Sequence, residues 1–159
     1  MTEATLETRI REFLASHHVM TLATSADGEV HAASLMYATD DFDLYWVSDP
    51  KSRHSRELEL NPRVAVTIAP DYTDFAHIRG LQIRGQAKRL AGLEAMQASA
   101  RMLGRYGFLQ ALASGPAALK LAFERSGFYR FSPEKITLID NSLGFGHKET
   151  LELTVPGAT

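Results

Sequence analysis

The start of the chain changes from a helical to a strand-like pattern of hydrophobic positions. Leu6, Ile10, Phe13 and Leu14 recur every three or four residues, which predicts one face of an amphipathic helix within residues 1–16. After that helix, hydrophobic and polar residues alternate, as they do in a strand that is buried on one face. The sequence therefore predicts a helix that leads directly into a sheet.

Several alternating segments follow and predict a meander of antiparallel strands. Two of them flank Asp27-Gly28, a dipeptide typical of tight hairpins. A short helix is predicted to end at Asn61-Pro62, because the residue before a proline disfavours the helical conformation. The predicted strands cover 19–24, 30–38, 44–48, 63–68, 77–90, 128–131, 136–140 and 151–155, and the short helix covers 52–60.

A helical insertion is predicted over residues 92–124. Its first part is rich in Ala, Met and Leu, and we expect Met96, Met102 and Leu103 to pack within the helices. Residues 105–115 carry two glycines and are expected to be irregular in part. Pro116 suits the start of one more short helix.

These elements define a mainly β protein with added helices, an α+β class. Six or so antiparallel strands in an open sheet leave two unpaired edges, and closure into a small barrel satisfies them. We therefore predict a six-stranded antiparallel barrel in one domain over residues 1–159, without internal repeats or a linker.

The amino-acid composition argues against several classes of protein. The 159 residues carry 17 Lys and Arg against 19 Asp and Glu, a formal net charge of −2 that argues against a nucleic-acid-binding protein. The sequence has no cysteine, which excludes disulfides, thiolate nucleophiles and Cys-ligated zinc. No apolar run approaches the roughly 20 residues of a membrane span, and the N-terminus does not resemble a secretory signal. We expect a cytoplasmic protein that is not bound to a membrane.

The most informative segment for chemistry runs from Asp49 to Arg56. A predicted strand ends here, and a helix begins with Ser52, Arg53 and His54. Free backbone N–H groups at a helix N-terminus, a hydroxyl and a fixed cation together suit a phosphate group. The alternative is a simple N-cap followed by a solvated charged face that pairs with Glu57 and Glu59.

The same segment carries a resemblance to a known family. Residues 52–66 read Ser-Arg-His-Ser-Arg-Glu-Leu-Glu-Leu-Asn-Pro-Arg-Val-Ala-Val. They resemble the Ser-Arg-Lys…Asn-Pro-Arg-Val signature of the pyridoxamine 5'-phosphate oxidase-like flavin-binding split barrels. The similarity continues through residues 83–90 and 128–136, and residues 78–82 and 140–146 look like the YhbP-like branch of that superfamily.

The resemblance implies a split-barrel homodimer that holds FMN at the subunit interface and acts on a small-molecule redox substrate. It assigns no catalytic residue. By position, the residues that it implies for cofactor binding are Ser34, Met36, Val47, Ser48, Lys51, Ser52, Arg53, His54, Gln82 and Phe145.

The chain also departs from the oxidase pattern. Ala32 and Tyr37 stand where the oxidase has a phosphate-binding arginine and a substrate-binding lysine, so oxidation of pyridoxamine phosphate is not expected. His54 replaces the lysine of Ser-Arg-Lys. An imidazole with an ordinary pKa of about 6.5 would hold a phosphate more tightly at about pH 6 than at about pH 8.

We therefore expect an FMN-binding flavoprotein, as an oxidoreductase of unknown substrate. Two alternatives remain open at this stage: a non-catalytic flavin- or haem-binding module, and a cofactor-free split barrel that acts as an interaction protein. The histidines show no compact metal-ligand spacing. Trp46 is expected in the core rather than against a cofactor.

Overall fold

The computed structural model describes residues 2–154, and these form one sheet with helices packed around it. Within this range, the α-helices are α1 (Leu6–Ser16), α2 (Arg53–Leu60), α3 (Gly92–Arg105), α4 (Gly107–Ser114) and α5 (Ala117–Glu124), and Asn141–Leu143 form a short 3₁₀ helix. The strands of the same range are β1 (Val19–Ala26), β2 (Glu29–Met36), β3 (Ala38–Asp40), β4 (Asp43–Ser48), β5 (Arg63–Ile68), β6 (Arg79–Arg89), β7 (Gly127–Asp140) and β8 (Lys148–Glu152).

The chain connection brings the two ends of the sheet close together. All pairs are antiparallel, in the order β2-β1-β5-β6-β7-β4-β3, and β8 pairs with the second half of β7. The strands at the two ends of this order, β2 and β3, are separated along the chain by Tyr37 alone. Tyr37 is fully buried, and its hydroxyl donates to the Leu14 carbonyl at 2.7 Å. The sheet therefore curls into the predicted split barrel, which is confirmed.

The strand count differs from the six that the pattern predicted. Eight strands occur within residues 2–154, which equals the number of predicted segments but exceeds the six strands of the predicted barrel. Tyr37 divides the expected segment 30–38 between β2 and β3. The expected segments 128–131 and 136–140 are instead one strand, β7. Val155, the last residue of the predicted final strand, lies outside the described residues.

Strand β7 continues through Pro133 because of a local irregularity. The register with β6 shifts between Arg84 and Gly85, and Gly85 lies opposite Pro133. A proline is tolerated at such a bulge, where the ladder does not need its missing N–H. A Cβ atom on Gly85 would lie 2.2 Å from the Ser132 carbonyl oxygen, so this position excludes any side chain.

The hairpin between β1 and β2 has the predicted two-residue turn. Ala26 pairs with Glu29, which leaves Asp27 and Gly28 in the loop. Both have positive φ, 54° and 79°. This is the conformation that matches the right-handed twist of the flanking strands, and it fixes which residues of β1 and β2 face each other.

The helical insertion is more ordered than its glycine content predicted. Residues 107–114 form α4, so the irregular part of residues 105–115 is limited to Tyr106 and Gly115, and Tyr106 caps both α3 and α4. Met102 is buried and Leu103 packs beside it, but Met96 is 70% exposed and does not pack as expected. Glycine lowers helix propensity by only about 1 kcal/mol, which tertiary packing outweighs.

The core fills the barrel and reaches one face of α2. Trp46 is fully buried in it and stacks on Tyr129 with ring centroids 5.6 Å apart, which agrees with the expectation for Trp46. Leu58 of α2 belongs to the same cluster and is 1% exposed. Burial of Leu58 therefore attaches α2 to the end of the barrel.

We predict that Leu58→Ala destabilises the protein by about 2–5 kcal/mol, because it leaves a cavity in the core. Leu60, on the same helix and 70% exposed, is the matched control. Leu60→Ala should change the free energy of unfolding by less than about 0.5 kcal/mol. Urea denaturation of both variants measures the difference. Equal losses of stability would contradict the conclusion that burial of Leu58 attaches α2 to the barrel.

Candidate functional site

The junction between β4 and α2 forms a helix N-terminus with free donors. Ser52 is the N-cap, and its hydroxyl accepts a hydrogen bond from the Ser55 N–H at 3.4 Å. The N–H groups of Arg53 and His54 lie in the first turn, where no earlier helical carbonyl can accept them. No acidic residue lies in that turn. The positive end of the helix dipole is therefore not neutralised by its own first residues.

His54 is engaged within the protein. It is 9% exposed, and its Nε2 atom lies 2.9 Å from the Ser48 hydroxyl and 3.2 Å from the Ser52 hydroxyl. Its ring is parallel to that of His31, with centroids 6.5 Å apart. Burial, and then the neighbouring His31, lower the pKa of His54 below its ordinary value. The charged form that the sequence hypothesis needs is therefore reached only at a more acidic pH than for an ordinary histidine.

Arg53 forms an ion pair with a buried carboxylate on the next turn of α2. Its Nε lies 3.3 Å from Glu57 Oε1, and Glu57 is 8% exposed. The same carboxylate accepts a hydrogen bond from the Thr24 hydroxyl at 2.8 Å. The Thr24 hydroxyl and the Arg53 guanidinium lower the pKa of Glu57, so it is ionised at neutral pH. Glu57 therefore orients Arg53, whose side chain is 49% exposed and makes no hydrogen bond through its terminal nitrogens within residues 2–154.

The remaining predicted residues next to α2, Lys51 and Val47, differ in their exposure to solvent. Lys51 is exposed and lies in the turn that precedes α2. Its backbone N–H donates to Asp49 Oδ1 at 2.8 Å. Val47 is partly buried and packs against the cluster that contains residues of α3 and α4. The structure thus brings Ser48, Ser52 and His54 into direct contact, with Arg53 and Lys51 beside them in sequence.

Ser34, Met36 and Gln82 lie elsewhere, on the outer face of the sheet. Ser34 pairs with Thr21, and Thr21 in turn pairs with Thr67 of β5. Thr67 pairs with Gln82 of β6, so these four residues form one row across the sheet. Residues paired in this way point to the same face. Thr24 and His31, which meet α2, belong to the inner face. Within one chain, the outer-face residues are therefore separated from the α2 residues by the sheet.

Phe145 is also separate from the α2 residues. It lies in the loop before β8, is 85% exposed and contacts Phe75, whose ring centroid is 6.0 Å away. Asn141 fixes this loop by donating from its side-chain amide to the Phe75 carbonyl at 2.8 Å. Phe145 is thus an exposed aromatic ring on an ordered loop.

Thr24 and His31 were not among the predicted site residues. The hairpin register pairs them directly with each other. The two-residue Asp27-Gly28 turn sets that register. The pairing of His31 with Thr24 could therefore have been predicted from the turn. Their contacts with Glu57 and His54 depend on the packing of α2, which no local pattern shows.

The donor set at α2 fits a phosphate group. It combines the first-turn N–H groups, the terminal nitrogens of Arg53 and the nearby Lys51, which are the donors that phosphate binding requires. The Nε2 atom of His54 is already bonded to two hydroxyls and contributes less directly. In the described part of the chain, no three His, Asp or Glu side chains come together as metal ligands. No helix of that part is long and apolar enough to cross a membrane.

Comparison with protein-family models identifies the family of the chain. Residues 6–136 match the model for "Pyridoxamine 5'-phosphate oxidase", so the chain belongs to that family. Within the family, it groups with the UPF0306 proteins. It is 31% identical over 143 residues to the "UPF0306 protein YhbP" of Salmonella paratyphi A, covering 89% of each chain.

Solved structures with the same fold include the following two. A haem-binding protein from Mycobacterium smegmatis has a TM-score of 0.74 and 20% identity, with 96% of this chain and 60% of that chain covered. A putative pyridoxamine 5'-phosphate oxidase from Listeria innocua has a TM-score of 0.66 and 21% identity, with 87% of this chain and 100% of that chain covered.

We predict that His54 makes the protein less stable in acid. Its pKa is lower in the folded than in the unfolded protein, where it is about 6.5. The unfolded chain therefore takes up the proton first, and the free energy of unfolding falls as the pH drops through that value. His54→Gln should flatten this dependence between about pH 7.5 and about pH 5.5.

Urea denaturation at several pH values measures this effect. His18→Gln is the control, since His18 is exposed and its side chain makes no hydrogen bond within residues 2–154. His18→Gln should keep the pH dependence of the parent protein. If His54→Gln also keeps it, the burial of a neutral His54 is not what lowers the stability in acid.

Proposed function

We propose that this chain is an FMN-binding oxidoreductase that works as a homodimer. The observation that supports it most is the pairing of Arg53, oriented by the buried Glu57, with the acid-free first turn of α2. Membership of the pyridoxamine 5'-phosphate oxidase family adds support, because that resemblance implies FMN at this position.

In this proposal the residues around α2 hold the FMN phosphate. The first-turn N–H groups and Arg53 donate to its oxygens, and Lys51 adds a second cation. Val47 and Ser48 follow on β4, where the resemblance implies contact with the ribityl chain. When bound, FMN accepts or donates electrons or a hydride, which the protein side chains alone cannot do.

Pyridoxamine phosphate is not the proposed substrate. Tyr37 stands at the position of the oxidase's substrate-binding lysine and is fully buried, with its hydroxyl bonded to the Leu14 carbonyl. It is therefore a structural residue of the barrel junction and unavailable to a substrate. Ala32, which replaces the phosphate-binding arginine, has no donor to offer.

A second copy of the chain completes the proposed site. Ser34, Met36 and Gln82 lie on the opposite face of the sheet from the α2 residues, and Phe145 lies in the loop before β8. In this proposal the α2 residues of another protomer therefore meet them. The outer sheet face suits such an interface. The paired row from Ser34 to Gln82 continues to Thr137 and Thr150, so its side chains are small or uncharged.

The first test measures FMN bound to the purified protein and to two arginine variants. Arg53→Ala should weaken FMN binding by roughly 1.5–3 kcal/mol, the scale of a hydrogen bond to a charged group, or about ten- to a hundredfold. Arg56→Ala is the matched control, because Arg56 is exposed on the same helix and makes no ion pair within residues 2–154. It should bind FMN nearly as the parent does.

Flavin fluorescence quenching during titration gives the dissociation constants of the parent and of the two variants. If Arg53→Ala and Arg56→Ala bind FMN equally well, the phosphate is not held at α2. If neither they nor the parent bind FMN, the proposed function is wrong. Oxidation of NAD(P)H by the loaded protein then distinguishes an enzyme from a binding module.

The second test concerns the dimer. Thr67→Glu places a charge in the centre of the outer row, where the proposed interface would bury it without a partner, and should shift the protein toward monomers. Thr73→Glu makes the same change in an exposed loop and should leave the oligomeric state unchanged. Light scattering after size exclusion measures the mass of each. A parent that is a monomer, or a Thr67→Glu variant that stays a dimer, contradicts the proposed interface.

A haem-binding module is the second candidate function. The specific observation in its favour is the fold shared with the haem-binding protein from Mycobacterium smegmatis, at a TM-score of 0.74. The absorption spectrum separates the two candidates, because haem adds a strong Soret band and FMN adds the two broad bands of a flavin. A protein that retains neither ligand after desalting favours the interaction-protein alternative.

A further inference from the structure

The helices α4 and α5 expose an unusual amount of apolar surface. None of the eight residues of α5 is buried, and Leu119 and Leu121 are 47% and 44% exposed. Lys120 and Glu124 are its only charged residues, and α4 has none. A helix at a protein surface normally has a charged or polar face toward solvent. An apolar patch of this kind marks a place where something binds.

A cleft lies beside this apolar surface. It has a volume of about 570 Å³ and is lined by Asp49, Pro50, Lys51, Ala122, Arg125 and Ser126. This volume is within the range of small-molecule sites. One wall is the C-terminal end of α5, and the opposite wall is the turn between β4 and α2.

The α5 wall of the cleft has few free polar groups. The carbonyl of Ala122 accepts a hydrogen bond from the Ser126 hydroxyl at 3.0 Å. The N–H of Arg125 donates to the Leu121 carbonyl at 3.0 Å. With these groups paired, the wall at Ala122 offers mainly its methyl group to a ligand.

The cleft also contains two cations without a partner. Neither Lys51 nor Arg125 forms an ion pair within residues 2–154, although ten such pairs occur there. The carboxylate of Asp49 is the one negative group among the lining residues, and it accepts the backbone N–H of Lys51 at 2.8 Å. The three charged side chains therefore leave a net positive charge at one edge of an apolar surface.

We propose that this cleft binds an amphipathic carboxylic acid, with the carboxylate at Lys51 and Arg125 and the apolar chain along α5 at Ala122. The charges favour an anion, and the apolar wall favours a hydrocarbon or aromatic body. No histidine, methionine or tyrosine lines the cleft, so it offers no ligand for a haem iron. Lys51 also belongs to the proposed FMN site, but the cleft does not depend on that cofactor.

The test is calorimetric titration of the full chain with decanoate and, separately, with decan-1-ol, which has the same chain length and no charge. Decanoate should bind at least about tenfold more tightly than the alcohol, a difference of about 1.4 kcal/mol. Arg125→Glu should remove most of this preference by reversing one charge. Ala122→Trp should weaken binding of decanoate by occupying the part of the cleft along α5 where its chain would lie.

Lys120→Ala is the matched control, because Lys120 is a cation of the same helix about 200° around the axis from Ala122. It should bind decanoate as the parent does. Circular dichroism checks the folding of Ala122→Trp, and Arg125→Glu keeps the test decisive if that variant does not fold. The flavin content of each sample is measured in parallel, so loss of FMN and loss of decanoate binding are distinguishable.

Three results would overturn the proposal: equal binding of decanoate and decan-1-ol, unchanged binding by both cleft variants, or no binding by the parent. If the parent does not bind decanoate, and Ala122→Trp converts a dimer into monomers, a second copy of the chain covers α5 instead.

Discussion

The attachment of α2 to the end of the barrel determines where the candidate site lies. Leu58 anchors the helix in the apolar core, and Glu57, one residue earlier, accepts a hydrogen bond from Thr24 of β1. These two contacts fix both the depth and the rotation of the helix. Arg53, one turn before Glu57, is thereby directed to the surface beside the first-turn N–H groups. A buried carboxylate is tolerated here because a hydroxyl and a guanidinium compensate it.

Much of this arrangement follows from local sequence signals. The Asp27-Gly28 turn, the Asn61-Pro62 helix end and the Ser52 cap each specify a conformation through a known backbone preference, and the structure has all three. The capped N-terminus of α2, with no acidic residue in its first turn, was predictable for the same reason, since caps and dipoles are properties of consecutive residues.

What the pattern could not predict depends on long-range packing. His54 was expected to face a ligand, but its burial beside His31 and its contacts with two serines arise from the way α2 meets β2. The position of Gln82 on the outer face follows from pairings across several strands. Helix α4 formed despite its glycine-rich surroundings because Leu109 and its neighbours pack on the barrel wall. These contacts join residues that are far apart in the sequence.

The single residue between β2 and β3 has a consequence for how the chain folds. These strands are neighbours in sequence but stand at opposite ends of the sheet order, and β3 joins the sheet only through β4, which pairs with β7. The barrel therefore cannot close until residues 127–131 are available. Contacts of such high sequence separation slow folding, because the loop-closure entropy is lost before the pairing forms. During synthesis, the N-terminal hairpin can form early, whereas closure at Tyr37 must wait for the last third of the chain to leave the ribosome.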